Sequence, residues 1–391
     1  MSTMEDSTSR RKKGQGSISK KTNGTYIGRI SISGYEPYSC IGATQKEVEK
    51  KLEAFRIRTL KKEIIPQKIL VSAYIEEWLV DIKMPSLKPA SYDRLERTYQ
   101  NHIKNSQVGR CQMGNITAMD IQKLINQKSQ SLSYSSLKKI YDLLKGCFNY
   151  AVISRDMDFN PAMAVHMPKK ENLKKQTKKI QVFSRDELER IEDVAKIVYK
   201  GGKIRYKHAY LFILLANTGM RAGEALALTW ENVNFDKRFI TIVQNASQVI
   251  ERTEGAEKKY KTIITSVKTQ NGNRCIPCND KAMEALLWLK KYQEENHIKS
   301  KYVVCNNEGR ILNQQTLPHI LSKILKAANV NYKNVHSFRH TFATNLIEAG
   351  VDVKIVSQLL GHSSVKITYD TYVHPKMDYA VAAVQLLNSK K

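Results

Sequence analysis

No stretch of about 18 apolar residues occurs in the chain, so the sequence predicts no membrane-spanning helix. The N-terminus, MSTMEDSTSRRKKGQG, has no apolar centre of the kind that a signal peptide needs. The six cysteines are scattered and do not form the regular framework of a disulfide-rich secreted domain. Together these absences predict a cytoplasmic protein that does not enter a membrane.

Acidic residues are also scarce, with 37 Asp and Glu against 64 Lys and Arg. No cluster of Asp and Glu has the spacing of metal ligands, and the one C-x-x-C, from Cys275 to Cys278, lacks the second pair that a zinc site needs. The sequence therefore predicts no metal site. The net charge of +27 is typical of proteins that bind polyanions, nucleic acid before acidic membranes, and the alternative is a basic surface that is merely solvated.

The first 65 residues predict a small module of a sheet and one helix. Residues 14–42 contain β-branched and aromatic stretches separated by Gly and Asn turns, which is typical of short strands. Thr44 and Glu47 then form a capping box before a helical apolar stripe. Such a basic sheet can lie in a DNA groove, or it can be a structural cap on the rest of the protein.

Residues 66–166 predict a helical bundle, because amphipathic stripes recur there and Thr117 with Asp120 can cap one of the helices. The basic faces of these helices suit a DNA clamp, and the same pattern would also suit an inert bundle. The segment 167–181 has a lysine run and no periodicity, which predicts a basic linker.

A second body, residues 182–391, begins where Ser184 and Glu187 form a capping box. Apolar helical stretches such as HAYLFILLANTG and AGEALALTW alternate there with strand-like pieces, namely FITIVQ, KKYKTIITSVKTQNGNRCIPC and KYVVC. The sequence therefore predicts a mainly helical domain with a small sheet.

Two motifs in this body carry candidate cations. Arg221 directly follows the apolar stretch LFILLANTGM, so its guanidinium is expected to be partly buried, and Glu224 can be its partner by helical spacing. Lys268 ends a strand before QNGN, which favours a tight hairpin turn. Taken alone, the first motif also fits an ordinary ion pair and the second an ordinary solvated hairpin.

A third motif, HSFRHTFATNL, places His336, Arg339 and His340 at positions i, i+3 and i+4, where a helix would bring all three together. In the fourth, LGHSS, Gly361 can end a helix and leave His362 at the turn.

Two tyrosines follow in KITYDTYVHP. Tyr369 and Tyr372 are three residues apart and would share a helix face, so spacing alone does not separate them. Arginines can grip phosphate oxygens, a histidine or lysine can protonate a leaving oxygen, and a tyrosine can be the nucleophile. Deprotonating a phenol at pH 7 costs about 4 kcal/mol, which two arginines and a basic imidazole could offset. The inventory fits phosphoryl transfer without a metal.

The motifs TGMRAGEALAL, KTQNGNRCIP, HSFRHTFAT and LLGHSSVKITYDTYVH resemble, in order and spacing, those of the tyrosine recombinases, the phage-type integrases. The 66–166 bundle resembles the family's SAM-like core-binding domain, and the N-terminal sheet resembles the arm-binding domain of integrases from conjugative transposons and Gram-positive phages. The resemblance implies a multidomain, mainly α protein with an arm-binding module (1–65), a core-binding bundle (66–166), a linker (167–181) and a catalytic domain with a small antiparallel sheet (182–391).

The resemblance also implies roles for the candidate residues. Arg221 and Arg339 would bind the scissile phosphate and stabilise the transition state. Lys268 would protonate the departing 5′ oxygen. His336 would act as acid or base near the nucleophile, and His362 would position the phosphate.

Only Tyr372 stands in the context TYVH that the family's nucleophile has, so the resemblance makes Tyr372 the nucleophile and Tyr369 a packing or DNA-facing neighbour. Glu224 would hold the helix geometry, and His340 would support the second arginine.

The implied reaction forms a 3′-phosphotyrosine link to double-stranded DNA and uses no cofactor. The implied assembly is a homotetramer on core and arm sites, in which the apolar C-terminal helix at 377–389 docks on a neighbouring protomer; packing on its own body is the alternative. A small excision factor is an expected partner, and the implied function is to integrate and excise a mobile element.

Three other functions remain as alternatives. A Xer-type resolvase usually lacks an N-terminal sheet module. A DNA-binding regulator without catalysis would not need the intact catalytic set. A type IB topoisomerase would need neither a tetramer nor a second DNA-binding module.

Overall fold

The computed structural model describes residues 15–32, 37–60, 69–175, 180–253, 259–266 and 273–373 of the chain. The chain divides into two compact units, Met1–Lys178 and Lys179–Lys391. Across the described residues the structure is mainly helical with small antiparallel sheets, which confirms the predicted fold class. None of the helices in these ranges has the length and apolar character needed to cross a membrane.

The first unit begins with a three-stranded antiparallel sheet and one helix, as predicted. The sheet has the order β1-β2-β3, and its elements are β1 (Ser17–Lys20), β2 (Tyr26–Ile30), β3 (Tyr38–Gly42) and helix α1 (Gln45–Leu60). Val48 and Leu52 of α1 are buried against the sheet. The predicted capping pair forms, because Thr44 Oγ1 accepts a hydrogen bond from the Glu47 amide at 3.2 Å.

The second part of this unit is a helical bundle with its own core. Its helices are α2 (Val71–Glu77), α3 (Met84–Ser86), α4 (Pro89–His102), α5 (Gln107–Arg110), α6 (Ala118–Ser129) and α7 (Tyr134–Ile153), with a π-helical segment at Trp78–Lys83 between α2 and α3. The predicted apolar stripes meet in the core, where Tyr99 of α4 and Phe148 of α7 are fully buried. Thr117 and Asp120 form the predicted capping box of α6.

The second unit is built around one apolar helix. Its helices are α8 (Arg185–Ala195), α9 (Ala209–Thr218), α10 (Ala222–Ala227), α11 (Asp280–Glu295), α12 (Leu317–Ala327), α13 (His336–Glu348), α14 (Val353–Leu360) and α15 (Val365–Tyr372). Nearly every side chain of α9 is buried, because α8, α11, α12 and α13 pack around it. The predicted capping box of Ser184 and Glu187 begins α8.

Two small antiparallel sheets lie between α10 and α11 in the chain. One has the order β4-β5-β8, formed by β4 (Val233–Asn234), β5 (Phe239–Ile242) and β8 (Arg274–Pro277). The other is the pair β6 (Gln244–Ile250) and β7 (Tyr260–Ser266). β6 packs against α10, and β8 packs against α14, so the sheets connect regions that are distant in sequence.

The predicted strand KYVVC is wrong. Only isolated bridges form there, from Tyr302 to Thr229 and from Cys305 to Ile311. Val303 and Val304 are β-branched residues that are buried in the core, and they do not form a β-ladder. The amide of Gln293 on α11 donates to the carbonyls of Tyr302 and Val303, each at 3.0 Å, and so replaces strand partners for these oxygens.

The segment predicted as a linker is partly folded. A 3₁₀ turn occupies Lys170–Asn172, and the Leu173 side chain after it is buried. Leu173 is therefore an apolar, buried residue within the lysine-rich run. The predicted bounds of the four segments of the chain stay predictions.

Gly219 is the clearest backbone requirement in the second unit, and we expect Gly219→Ala to destabilise the protein by about 2 kcal/mol or more. Its φ is +63°, and an added Cβ would lie 2.4 Å from the Phe342 ring. Gly201→Ala is the matched control, because no atom lies within 4 Å of a Cβ built there. Chemical denaturation would measure both variants, and equal midpoints would contradict the expectation.

Candidate active site

Arg221 lies at the N-cap of α10, two residues after the left-handed Gly219 that ends α9. Its backbone amide donates to Glu224 Oε2 at 2.8 Å, and its Nη1 donates to Glu224 Oε1 at 2.7 Å. The predicted partnership is therefore confirmed, but the pair forms a helix cap and not a contact along a helix face. The Arg221 side chain remains partly exposed, whereas Glu224 is buried.

A second arginine, which the sequence analysis did not single out, binds the same carboxylate. Arg274 at the start of β8 donates from Nη2 to Glu224 Oε2 at 2.8 Å and from Nη1 to Oε1 at 3.2 Å. Its Nε donates to the Leu359 carbonyl at 2.6 Å. Its side chain is only 6% exposed, so this is a buried contact between β8, α10 and the end of α14. The sequence did contain a signal, because Arg274 is two residues before Ile276 and therefore shares a strand face with that buried residue.

Electrostatics keep Glu224 ionised. Burial acts to raise the pKa of this carboxyl, but hydrogen bonds from Arg274 and the charges of Arg274 and Arg221 outweigh burial and hold the pKa below its ordinary value. A single carboxylate therefore faces two guanidinium groups. The surplus positive charge suits a site for an oxyanion.

Arg339, the second predicted arginine, is almost fully buried at 2% exposure in α13. Its Nη1 donates to the Gly219 carbonyl at 2.8 Å and its Nη2 donates to the Leu360 carbonyl at 2.7 Å. Arg221 Nη2 donates to the next carbonyl, that of Gly361, at 3.2 Å. The two predicted arginines are thus held on neighbouring carbonyls of one turn. Burial, together with the charge of Arg221, lowers the pKa of Arg339 to about 9, so it remains a cation at neutral pH.

The helix predicted for HSFRHTFATNL brings the two histidines of α13 together. The rings of His336 and His340 meet edge to face with centroids 4.6 Å apart. His340 Nδ1 lies 2.8 Å from the Tyr372 hydroxyl, within hydrogen-bond distance. The contact with the phenol is therefore made by His340, which had been expected only to support Arg339. Burial, together with the charges of its neighbours, lowers the pKa of His336 to about 4.

His362 occupies the predicted turn, directly after Gly361, which ends α14 with φ of 65°. Its Nδ1 lies 2.8 Å from Oγ1 of Thr368, a fully buried residue of α15 that the sequence analysis did not identify. This hydrogen bond orients the imidazole. Burial, followed by the charges of Arg339 and Arg221, lowers the pKa of His362 to about 4.

The two tyrosines that spacing could not separate differ sharply in the structure. Tyr369 is 54% exposed, whereas Tyr372, the last residue of α15, is 9% exposed and packs in a small core with Val356 and Leu360. Burial raises the pKa of the Tyr372 phenol, although the charges of Arg339 and Arg221 act in the opposite direction. Only Tyr372 therefore reaches the cluster of arginines and histidines.

Several predicted features, including the hairpin turn at QNGN, lie wholly or mostly outside the described residues. Lys268 belongs to the 267–272 gap, and the C-terminal helix predicted at 377–389 follows the last described residue. Among the described residues, no group of His, Cys, Asp and Glu is arranged to hold a metal ion.

Removing Glu224 should be far more costly than removing an exposed acid. We expect Glu224→Ala to lower the free energy of unfolding by about 3–5 kcal/mol, because it leaves the buried Arg274 without its counter-charge. Glu189→Ala is the control, since its pair with Arg185 is exposed and should change stability by about 0.5 kcal/mol or less. Equal unfolding free energies for the two variants would contradict this assignment.

Acidification should destabilise the folded protein through its buried histidines. The pKa values of His336 and His362 are about 4 in the fold against an ordinary value of 6.5, so the unfolded chain binds more protons between these limits. Stability is therefore lost as the pH falls from about 6.5 towards 4. Thermal melting across this range should show a smaller loss in a His336→Asn/His362→Asn variant, and an equal loss would show that other groups are responsible.

Comparison with known proteins identifies the family. The phage integrase family matches residues 181–378, and the N-terminal SAM-like domain of phage integrases matches residues 70–129. A tyrosine recombinase XerC-like protein of Caldanaerobacter subterraneus subsp. tengcongensis is 31% identical over 362 residues, which are 89% of this chain and 90% of that protein.

Solved structures of other integrases share the fold, and two of them illustrate the match. The Tn1549 transposon integrase in complex with a circular intermediate DNA matches with a TM-score of 0.65 and 20% identity, over 82% of this chain and 100% of that one. A lambda integrase tetramer bound to a Holliday junction matches with a TM-score of 0.55 and 15% identity, over 93% and 97%. The chain belongs to the phage integrase family of tyrosine recombinases, enzymes that cut and rejoin DNA at specific sites.

Proposed function

We propose that this recombinase integrates and excises a mobile DNA element, with Tyr372 as the nucleophile. The observation that carries the proposal is the Tyr372 hydroxyl at 2.8 Å from His340 Nδ1, beside two arginines fixed on the Leu360–Gly361 turn. The phenol oxygen attacks phosphorus and the bond to the 5′ oxygen breaks. The products are a 3′-phosphotyrosine and a free 5′ hydroxyl, and reversal with a partner strand rejoins the DNA.

The proton of the phenol needs an acceptor. His340 is in contact with the hydroxyl, so we assign it the acceptor role, with His336 packed against its ring. Both imidazoles are predominantly neutral near pH 7, because burial lowers their pKa values below 6.5, and only a neutral imidazole can accept a proton. Lys268 stays the predicted donor to the departing oxygen.

Arg221 and Arg339 hold the non-bridging oxygens of the scissile phosphate. Both guanidinium groups are fixed before DNA binds, so little reorganisation is needed as charge develops in the transition state. Loss of one such donor costs roughly 10²–10³ in rate. His362, oriented by Thr368, positions the phosphate from the same turn.

We also propose the larger organisation that the sequence predicts. Four protomers act on two duplexes, as in the lambda integrase tetramer on a Holliday junction, and residues 377–389 link neighbouring protomers. The bundle at 66–166 binds core sites and the module at 1–65 binds arm sites. A small excision factor sets direction, and the reaction takes place in the cytoplasm, where the DNA substrate lies.

A Xer-type resolvase is the second candidate, because the XerC-like relative covers most of this chain. The two functions differ in their DNA: an integrase cleaves the ends of an element, whereas a resolvase cleaves a site on the chromosome that carries no element. Cleavage of one duplex and not the other decides between them.

The nucleophile is tested with a nicked suicide duplex that carries the end of the element. We expect a covalent protein–DNA adduct with the unaltered protein, none with Tyr372→Phe, and a nearly normal amount with Tyr369→Phe, since Tyr369 is exposed and away from the cluster. Denaturing electrophoresis measures the adduct. Loss in Tyr369→Phe with retention in Tyr372→Phe would reverse the assignment, and no adduct on any element-end or chromosomal duplex would rule out the enzymatic function.

A further inference from the structure

A cavity of about 770 Å³ in the second unit shares no residue with the active site. One wall is the segment 199–208, which contains a Gly201–Gly202 turn closed by a bridge from Val198 to Ile204. The opposite wall is one face of α12. A volume of this size lies in the range of about 300–1,000 Å³ that is typical of ligand sites.

The lining is strongly basic. Arg205, Lys207, Lys323 and Lys326 contribute four cations, and no acidic side chain lines the cavity. Among the described residues, none of the four forms a salt bridge with a carboxylate. Lys323 and Lys326 are three residues apart on α12 and therefore repel each other, so an anion between the walls would stabilise both.

Aromatic rings order one of these cations. The guanidinium carbon of Arg205 lies 5.6 Å from the Tyr199 ring centroid and 5.4 Å from that of Tyr206, within cation–π range. Tyr199 is nevertheless 55% exposed, which leaves room for a second planar group against its ring. A cationic rim, an exposed ring and an apolar floor formed by Ile320 and Ile324 are what a nucleotide requires for its phosphate, base and sugar.

Lys207 also lines the cavity, but its ammonium contacts residues that do not line it. Its amine donates to Asn307 and lies 5.4 Å from the Tyr292 ring centroid. Burial also lowers the pKa of Lys207, and the proposed phosphate contacts are therefore assigned to the other three cations.

We propose that this cavity binds nucleotide phosphates apart from the scissile phosphate, with Lys323, Lys326 and Arg205 on the phosphates and Tyr199 against a base or sugar. The phosphates come from a strand of the substrate DNA or from a free nucleotide. The DNA source rests on the proposed function, since it requires the enzyme to hold DNA beyond the cleavage point. Contacts of this kind add affinity and hold the DNA in position without reading its sequence.

The salt dependence of DNA binding tests the cavity directly. Each phosphate contact contributes about 0.9 to the magnitude of the negative slope of log K against log salt. Lys323→Ala/Lys326→Ala should therefore reduce that magnitude by about 2. The matched control is Lys281→Ala/Lys291→Ala, which removes two lysines already paired with carboxylates at 2.7 and 3.6 Å. Binding of a long element-end duplex is measured at several salt concentrations for all three proteins.

A second arm identifies the source of the phosphate. Binding of a free nucleoside triphosphate is measured for the same proteins, and loss in the cavity variant alone, with an unchanged slope on DNA, assigns the cavity to a free nucleotide. Competition by an acidic peptide without any change in either nucleotide arm would overturn the proposal in favour of a protein partner. No change in slope or in nucleotide binding would overturn it outright.

The role of the Tyr199 ring and the effect of the cavity on DNA cleavage are tested separately. Tyr199→Ala should weaken DNA binding or free-nucleotide binding, whichever the lysine variant affects, by roughly fivefold or more. Tyr199→Phe should restore that binding, because stacking needs the ring and not the hydroxyl. Both cavity variants should still form the covalent adduct on a short suicide duplex. Absence of the adduct in the unaltered protein would count against the proposed function, whereas the slope comparison would still report on the cavity.

Discussion

The rest of the active site depends on one interaction, the pairing of the buried Glu224 carboxylate with two arginines. The carboxylate accepts hydrogen bonds from Arg221 at the start of α10 and from Arg274 at the start of β8. Removing two or three charges from water costs several kcal/mol for each, and only close pairing with full hydrogen bonding offsets that cost. The carboxylate thus allows a positively charged site to exist inside a folded domain before any phosphate arrives.

Backbone carbonyls supply further hydrogen-bond acceptors for the arginines, because one carboxylate cannot accept from all of their donors. Arg339, Arg221 and Arg274 all donate to carbonyls at the end of α14, from Leu359 to Gly361. A helix end is suited to this because its last carbonyls have no intrahelical partner and carry partial negative charge. The left-handed Gly361 directs the chain away after these carbonyls and leaves His362 beside the arginines.

The sequence predicted most elements because their signals are local. Capping boxes at Ser184 and Thr117 form as expected, and the spacing in HSFRHTFATNL correctly placed its histidines on one helix. The strand prediction at Val303 and Val304 was wrong, because β-branched residues occur in buried loops as well as in β-strands. Arg274 was missed because its partner Glu224 lies 50 residues away in the chain. Thr368 was missed because its complete burial depends on how α15 packs.

The sequence by itself determined most of the chemical groups of the site: two arginines, a lysine, three histidines, an acid and a candidate phenol, in local contexts that fitted phosphate chemistry. The tertiary structure alone decided which groups meet. Helical spacing treats Tyr369 and Tyr372 alike, but the packing of α15 buries one of them against His340 and exposes the other to solvent. The physical reason is that periodicity defines a direction around a helix axis, whereas contact depends on which neighbouring element occupies that direction.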